Sequence, residues 1–342
     1  MQVLAEFDEA ELELLNALQI HPRASWSLLG EVLQADPATV ARRWARLENS
    51  GRAWIAVVPG FVEPAEALCA FIEVECEAGA AHGVAERLVT DPRVGSVEHM
   101  TGSFDLLLTV IVRDLAALSA YVLTVLGRID GVRSTSAHVA TALHTEGSQW
   151  QVRALGAAQC RRIATALPGT SVPARPLDER DRSLLTALTE DGRASYSTLS
   201  ARTGMSISTV RRRLDALLTH RRAVLRCEVA RPLSGWPFSV SLWCRVPYAQ
   251  LDTVAAQLAA LPETRLCAAI TGGRPNLLVT TWLRSLGDIQ ALQATLSARI
   301  DGFEVEGCSL ALSQSKRVGH VLDARGAAVG RVPVTAWPAP GV

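Results

Sequence analysis

An α+β fold assembled from two copies of one unit is predicted by three observations on the 342-residue sequence. Leu- and Val-rich segments of helical period, broken by Ser, Asp and Gly, run from Phe7 to Gly51 and start again after Leu177. After each, the period changes to two: Ala70, Ile72, Val74 and Cys76 alternate in the first case, Val240, Leu242, Cys244 and Val246 in the second. Finally, Asp8 recurs as Asp178, and the spacing of 170 residues holds without a gap through the helical segment. It pairs Leu14 with Leu184, Arg23 with Arg193, Ser25 with Ser195, Val40 with Val210 and Leu47 with Leu217. One register over so long a span marks a tandem repeat.

In the first copy Asp8 starts a helix carrying Leu12, Leu14, Leu15 and Leu18, and Arg23-Ala24-Ser25 breaks it. Trp26 to Gln34 reads as a second short helix. Asp36-Pro37 opens a third, with Val40, Trp44 and Leu47 inward and Asn49-Ser50-Gly51 at its end. Trp54–Val58 is a linking strand stopped by Pro59-Gly60. A strand from Cys69, a helix over Ala80–Thr90, strands over Val94–Met100 and Leu106–Val112, a helix over Leu115–Ile129 and a strand over Val132–Leu143 follow. That order is ferredoxin-like, βαββαβ. In the second copy Tyr196–Thr203 and the helix after Gly204-Met205-Ser206 form a helix-turn-helix whose second helix carries Arg211, Arg212 and Arg213. One extra residue enters the loop after Thr271-Gly272, placing Asn276 opposite Asp105 and Ile300-Asp301-Gly302 opposite Ile129-Asp130-Gly131.

The predicted organisation is two winged-helix-like three-helix modules, each followed by a ferredoxin-like module. The first helix-turn-helix domain spans 1–60, the first sheet module 61–145, a linker 146–176, the second helix-turn-helix domain 177–231 and the second sheet module 232–317. Trp150–Leu167 is expected to form one weakly amphipathic helix in the linker. The Gly/Pro/Ala-rich segment 318–342 is expected to be a flexible tail.

A composition of 49% hydrophobic and 20% charged residues describes a folded protein rather than a disordered one. The formal net charge is zero, so local balance decides. Residues 7–58 hold seven acids against five arginines, whereas residues 177–231 hold seven acids against eleven, making only the second module basic. Lys316 is the sole lysine, an arginine bias read as compositional. Seven cysteines without a CxxC pair suggest reduced thiols, and with no charged-then-apolar segment at Met1 a cytoplasmic protein is expected. Cys69 and Cys76 lie seven apart on one strand and point to opposite faces. The apolar runs are too short to span a bilayer, so no membrane association is expected. No Ser/His/Asp order, P-loop, GxGxxG after a strand or HExxH is present. No catalytic residue, cofactor or metal is therefore expected, and His99 has no second ligand at useful spacing.

The helical module, with its Asp- and Leu-rich first helix, Arg-Ala-Ser and Val-x-x-Arg helix, resembles the Lrp/AsnC family of bacterial transcription regulators. Thr101-Gly102-Ser103-Phe104-Asp105 is similar to the Thr-Gly-x-Phe/Tyr-Asp turn of that family's effector and oligomerisation module. The chain resembles two such regulators fused in tandem. In the first copy Ala35-Asp36-Pro37 departs from the family's Leu-Ser turn, and in the second effector turn the acid is replaced by Asn276.

The resemblance implies double-stranded DNA as partner, contacted by Ser208, Thr209, Arg211, Arg212 and Arg213 in the second copy and by Thr39, Arg42, Arg43 and Arg46 in the first. Arg43 and Arg213 have a second reading, an ion pair with an acid inside the module. The resemblance also implies an amino-acid-like effector at Thr101, Gly102, Ser103 and Asp105, and at Thr271, Gly272, Gly273 and Asn276. A Gly-containing turn leaves backbone N–H groups for a carboxylate, and Asp105 accepts from an amine. The alternative is that Gly102 only permits the turn and Asp105 bonds its own backbone. For the second turn that alternative is the stronger, since Pro275 stiffens the loop.

Two other functions share the architecture. Siroheme decarboxylases carry Arg- and His-rich signatures after the linking strand and in an effector-module strand, where this chain has Val57-Val58-Pro59-Gly60 and Glu98-His99-Met100-Thr101. A co-regulatory protein with weak DNA binding is the other. The expected assembly sets the two sheet modules of one chain face to face as an intrachain pseudo-dimer addressing two unlike half-sites, with further homo-oligomerisation.

Overall fold

The computed structural model describes residues 6–60, 67–171 and 173–334. Helices begin where the sequence offers a cap. Asp8 caps α1 (Glu9–Ile20) in a reciprocal box with Glu11, Ser25 caps α2 (Trp26–Val32), and Asp36 caps α3 (Pro37–Asn49) with proline in the first turn. β1 (Ala53–Pro59) leads away. Then come β2 (Leu68–Cys76), α4 (Ala81–Val89), β3 (Val94–Met100), β4 (Leu106–Val112), α5 (Leu115–Ala120) and β5 (Val132–Thr145). After α6 (Ala157–Ala164) the same series repeats as α7 (Glu179–Glu190), α8 (Tyr196–Thr203), α9 (Ile207–Thr219) and β6 (Ala223–Val229). It continues as β7 (Phe238–Arg245), α10 (Leu251–Ala259), β8 (Thr264–Thr271), β9 (Leu277–Leu283), α11 (Gly287–Arg299) and β10 (Glu304–Arg317), followed by β11 (His320–Leu322) and β12 (Ala328–Arg331).

The two copies join edge to edge as well as face to face. Within each, four antiparallel strands run in the order β3-β4-β2-β5 and β8-β9-β7-β10. β5 pairs with β8 and β10 with β3, so the eight strands close into a ring. Outside the ring, α4 and α5 cover one sheet and α10 and α11 the other, each over its own core. Inside it, Phe71, Met100, Phe104 and Leu107 of one copy meet Trp243, Ile270 and Leu278 of the other. Cys69 belongs to this inner core and Cys76 to the outer one, on opposite faces of β2.

β1 and β6 form a separate antiparallel ribbon, with Ala53 opposite Val229 and Pro59 opposite Ala223. Its midpoint pairs Ala56 with Arg226, which are equivalent positions of the repeat, so the pseudo-twofold axis passes between them. Both helical modules share one core, in which Leu14, Leu18, Trp44 and Leu47 and their counterparts Leu184, Leu188, Leu214 and Leu217 are buried with Trp150 and Ile163.

Three segments differ from expectation. The linker helix is only α6, because residues 150–155 are tied in an irregular, non-helical path against α1, with Arg153 left-handed (φ 60°). Val152 N–H donates to Gln19 at 2.8 Å, Leu155 N–H to Asn16 at 2.9 Å, and Asn16 donates to Gln151 at 3.0 Å. The helix expected over Leu115–Ile129 is regular only to Ala120, then widens to a π-turn over Tyr121–Val125 and tightens over Leu126–Arg128. The expected flexible tail instead carries β11 and β12 on the outer edge of β10, and Ala328 N–H donates to the Gly51 carbonyl. Residues 335–342 lie outside the described residues.

Candidate nucleic-acid interface and effector sites

Gly204 closes α8 in the left-handed conformation (φ 67°), and Ser206 caps α9 by accepting from Thr209 N–H at 3.2 Å. Gln34 stands at the equivalent position of the first copy with the same left-handed backbone, so both turns have one shape despite unlike residues. On α9, Val210, Leu214 and Leu217 are buried while Ser208, Arg211 and Arg212 are exposed. Thr209 is half-buried, and its hydroxyl lies 2.9 Å from that of Ser206.

Arg213 turns inward. It donates to Asp181 at 2.7 Å and to both oxygens of Asp178 at 3.0 Å, so its guanidinium completes the first-turn network of α7. Its counterpart Arg43 has no such partner among the described residues, because Glu11, the counterpart of Asp181, is taken by Arg52 at 3.1 Å. On α3 the exposed arginines are Arg42, whose guanidinium donates to Thr39 at 3.1 Å, and Arg46.

The two helical modules are clasped by a reciprocal pair that the sequence shows only as a repeated Arg-Ala-Ser. Arg23 donates to the carbonyls of Gly192 and Ala194, both at 2.7 Å. Arg193 donates to those of Pro22 and Ala24, the positions equivalent to Gly192 and Ala194. Each guanidinium also lies over an aromatic ring across the interface: Arg193 is 3.9 Å from the centroid of Trp26, and Arg23 is 5.5 Å from that of Tyr196. Burial lowers both arginines below their usual range, Arg193 to about 10.

The two turns named as effector candidates occupy equivalent, separate places. Asp105 accepts from Cys76 N–H at 2.7 Å, and Asn276 accepts from Val246 N–H at 2.9 Å, an equivalent bond in each copy. Each turn packs on the other copy. Thr101 accepts from Leu310 N–H through its hydroxyl at 2.9 Å, while Thr271 pairs with Val139. Gly272 (φ 111°) approaches so closely that a Cβ there would lie 2.4 Å from the Ala137 carbonyl. Gly102, Ser103 and Gly273 are exposed at the tips.

One feature lies outside the residues named from sequence. A cavity of about 120 Å³ opens between the β1·β6 ribbon and the mouth of the strand ring, lined by Glu98, Arg226, Glu228, Arg265, Gln314 and Arg317 among others. The repeat register offers the signal that could have found it: Arg226, Glu228 and Arg265 stand where the first copy has Ala56, Val58 and Gly95. Elsewhere among the described residues no group of His, Cys, Asp and Glu is placed to hold a metal, and no helix is long and apolar enough to cross a membrane.

The chain matches the family model for the AsnC-type helix-turn-helix domain at residues 7–48 and 177–218, and that for the Lrp/AsnC ligand binding domain at residues 69–149. It is 31% identical over 144 residues to an uncharacterized HTH-type transcriptional regulator of Pyrococcus abyssi, covering 42% of this chain and 90% of the relative. It is 32% identical over 138 residues to the Bkd operon transcriptional regulator of Pseudomonas aeruginosa, covering 38% and 87%. Among solved structures, the siroheme decarboxylase NirDL matches with a TM-score of 0.57 over 91% of this chain and 93% of its own, at 16% identity. That likeness is one of fold.

Proposed function

The chain belongs to the Lrp/AsnC family of transcriptional regulators as a tandem duplication, and from that premise we propose that it binds an operator through two unlike recognition helices and responds to a small molecule, an amino acid or related metabolite. The observation that carries the reading is the exposed Arg211 and Arg212 at the start of α9, on a helix clasped in fixed relation to α3 by Arg23 and Arg193. Cationic side chains on the first turns of a second helix suit phosphates and guanine edges in a major groove. A pseudo-twofold pair of such helices suits two half-sites, and unlike residues on them suit unlike half-sites. The order of strands and helices in each sheet module supports a ferredoxin-like effector unit, and closure of the two within one chain supports an intrachain pseudo-dimer.

The decarboxylase reading draws on the fold of NirDL. Against it, Val58 and Glu98 from the two signature stretches both reach the cavity, yet no histidine is among its described lining residues. His99 projects from β3 to hydrogen-bond Ser315 at 3.0 Å and stack near His82. The test is a titration of the full-length chain against DNA upstream of its own gene and neighbouring genes, with and without a panel of amino acids. Saturable, sequence-dependent binding whose affinity changes with one amino acid is expected. Binding no tighter than to random DNA would sink the reading.

A further inference from the structure

Resting on the regulator reading, we propose that the cavity between the β1·β6 ribbon and the strand ring is a single effector site per chain, built for a small carboxylate that carries a neighbouring hydrogen-bond donor, an amino or hydroxy acid. The Thr-Gly turns then serve assembly.

The first argument is charge. Arg265 grips both oxygens of Glu228 at 3.0 and 2.8 Å, Arg317 stands 3.7 Å from the same carboxylate, and Arg226 pairs with Glu146 at 2.6 Å. Burial alone would raise Glu228, but Arg265, Arg317 and Arg226 together hold it below the usual carboxylate range, so it stays ionised. Three guanidiniums thus face two committed carboxylates. Glu98 makes no ion pair among the described residues, and burial pushes its carboxyl up against the pull of Arg317, Arg231 and Arg265. Guanidinium N–H groups that these two carboxylates do not use, Arg226 Nε among them, suit an anion.

The second argument is unmet hydrogen bonding. The Oε1 of Gln314 and the Nε of Arg226 are buried and have no hydrogen-bond partner among the described residues. An orphan acceptor and the Glu98 carboxyl suit an ammonium or hydroxyl on the ligand, while the arginines suit its carboxylate. Trp282 supplies the apolar wall, with Arg265 and Arg317 stacked over its ring at 4.2 and 4.7 Å. A volume of about 120 Å³ suits a small acid.

The third argument comes from the duplication itself. The first copy has Ala56, Val58, Gly95, Leu143 and Glu146 where the second has Arg226, Glu228, Arg265, Gln314 and Arg317. At four of these five positions, all but that of Glu146, the first copy has no charge, so the fold does not require it there, and buried ion pairs are a poor source of stability. Since Val58, Gly95, Leu143 and Glu146 line the same cavity as Glu228, Arg265, Gln314 and Arg317, these differences make one asymmetric site on the pseudo-twofold axis. Its walls come from the ribbon that leaves the helical modules and from both sheets, so an occupant contacts the parts whose relative setting fixes the recognition helices.

The test is calorimetric titration of the full-length protein with L-alanine, L-leucine and L-lactate, and with L-leucinamide, which keeps the amine and lacks the carboxylate. At least one of the three acids is expected to bind at one per chain, and leucinamide not at all. Gln314→Leu, which removes the orphan acceptor without breaking an ion pair, and Arg317→Gln, which leaves Glu228 paired to Arg265, are each expected to weaken binding about tenfold or more. Asp105→Asn is expected to leave it unchanged. Absence of saturable binding by all three acids, two equal sites per chain, or loss on Asp105→Asn but not on Gln314→Leu would overturn the proposal. DNA binding is scored separately: a chain that binds acid in the cavity but no DNA supports this site while removing the regulator reading, and one that binds DNA but none of the acids overturns this site alone.

Discussion

Arg212 and Arg42 occupy equivalent positions on two recognition helices yet have different surroundings. Arg212 is exposed beside Arg211 and Ser208 on a basic module, whereas Arg42 donates to its own Thr39 among the alanines at 38 and 41. Arg212→Ala is therefore expected to weaken operator binding by about 1–3 kcal/mol and to lower the salt dependence by roughly one counterion, with Arg42→Ala costing less than half as much. Anisotropy titrations at several salt concentrations check this, and equal losses would reject the asymmetry. His320 carries a pH prediction. Its Nε2 accepts from Arg331 at 3.2 Å and its Nδ1 faces the Val318 carbonyl, so the ring is neutral. Burial first, then Arg331, lowers its pKa from 6.5 to about 4. Between those values the unfolded chain binds the extra proton and the folded chain does not. The contribution is thus fully present above pH 6.5 and lost as pH falls toward 4, up to about 3 kcal/mol. His320→Gln is expected to shrink the drop in urea midpoint between neutral and acidic pH. An unchanged drop would assign the acid sensitivity to other groups, His21 first, whose pKa burial also lowers to about 4.

Among the elements, the helices were the most legible. Asp8, Asp36 and Ser206 each cap the helix expected after them, and Ser25 and Ser195, read only as a helix break and its repeat, turn out to cap as well, because capping is decided within four residues. The linker and tail were not, since neither is decided locally. Residues 150–155 are held out of helix by the buried amides of Asn16 and Gln19, and the tail becomes sheet only because β10 offers it an edge. The clasp was half legible: repeated Arg-Ala-Ser was plain, but its crossed partners Gly192, Ala194, Pro22 and Ala24 lie about half a chain away. Arg193→Ala is expected to cost about 2–3 kcal/mol, since it removes two charge-assisted hydrogen bonds and a ring contact. Denaturant unfolding with the Trp26→Leu and double variants measures the ring's share. Purely additive losses would remove the ring contact from the account.

For the whole molecule, the repeat foretold the approximate twofold likeness, while ring closure through β5–β8 and β10–β3 depended on how far the 14-residue β5 and β10 extend past their own sheets. The cavity was invisible in either copy alone and emerges only from positions at which the copies differ. Because the halves share the ring, the ribbon and one helical core, a single cut within the exposed stretch 173–176 is expected to leave both fragments together. Size-exclusion chromatography of the nicked protein, against its behaviour in urea, checks this. Two separate peaks under native conditions would mean that the loop, not the shared sheet, holds the halves.

The ribbon and the ring are also closed within one polypeptide, which has a consequence for inheritance. Elsewhere, a twofold protein made of separate subunits can be poisoned when a damaged copy joins a sound one. Here each molecule is born with both its halves, so at this junction a defective allele spoils only its own product, and related proteins in the same cell are given no vacancy to fill.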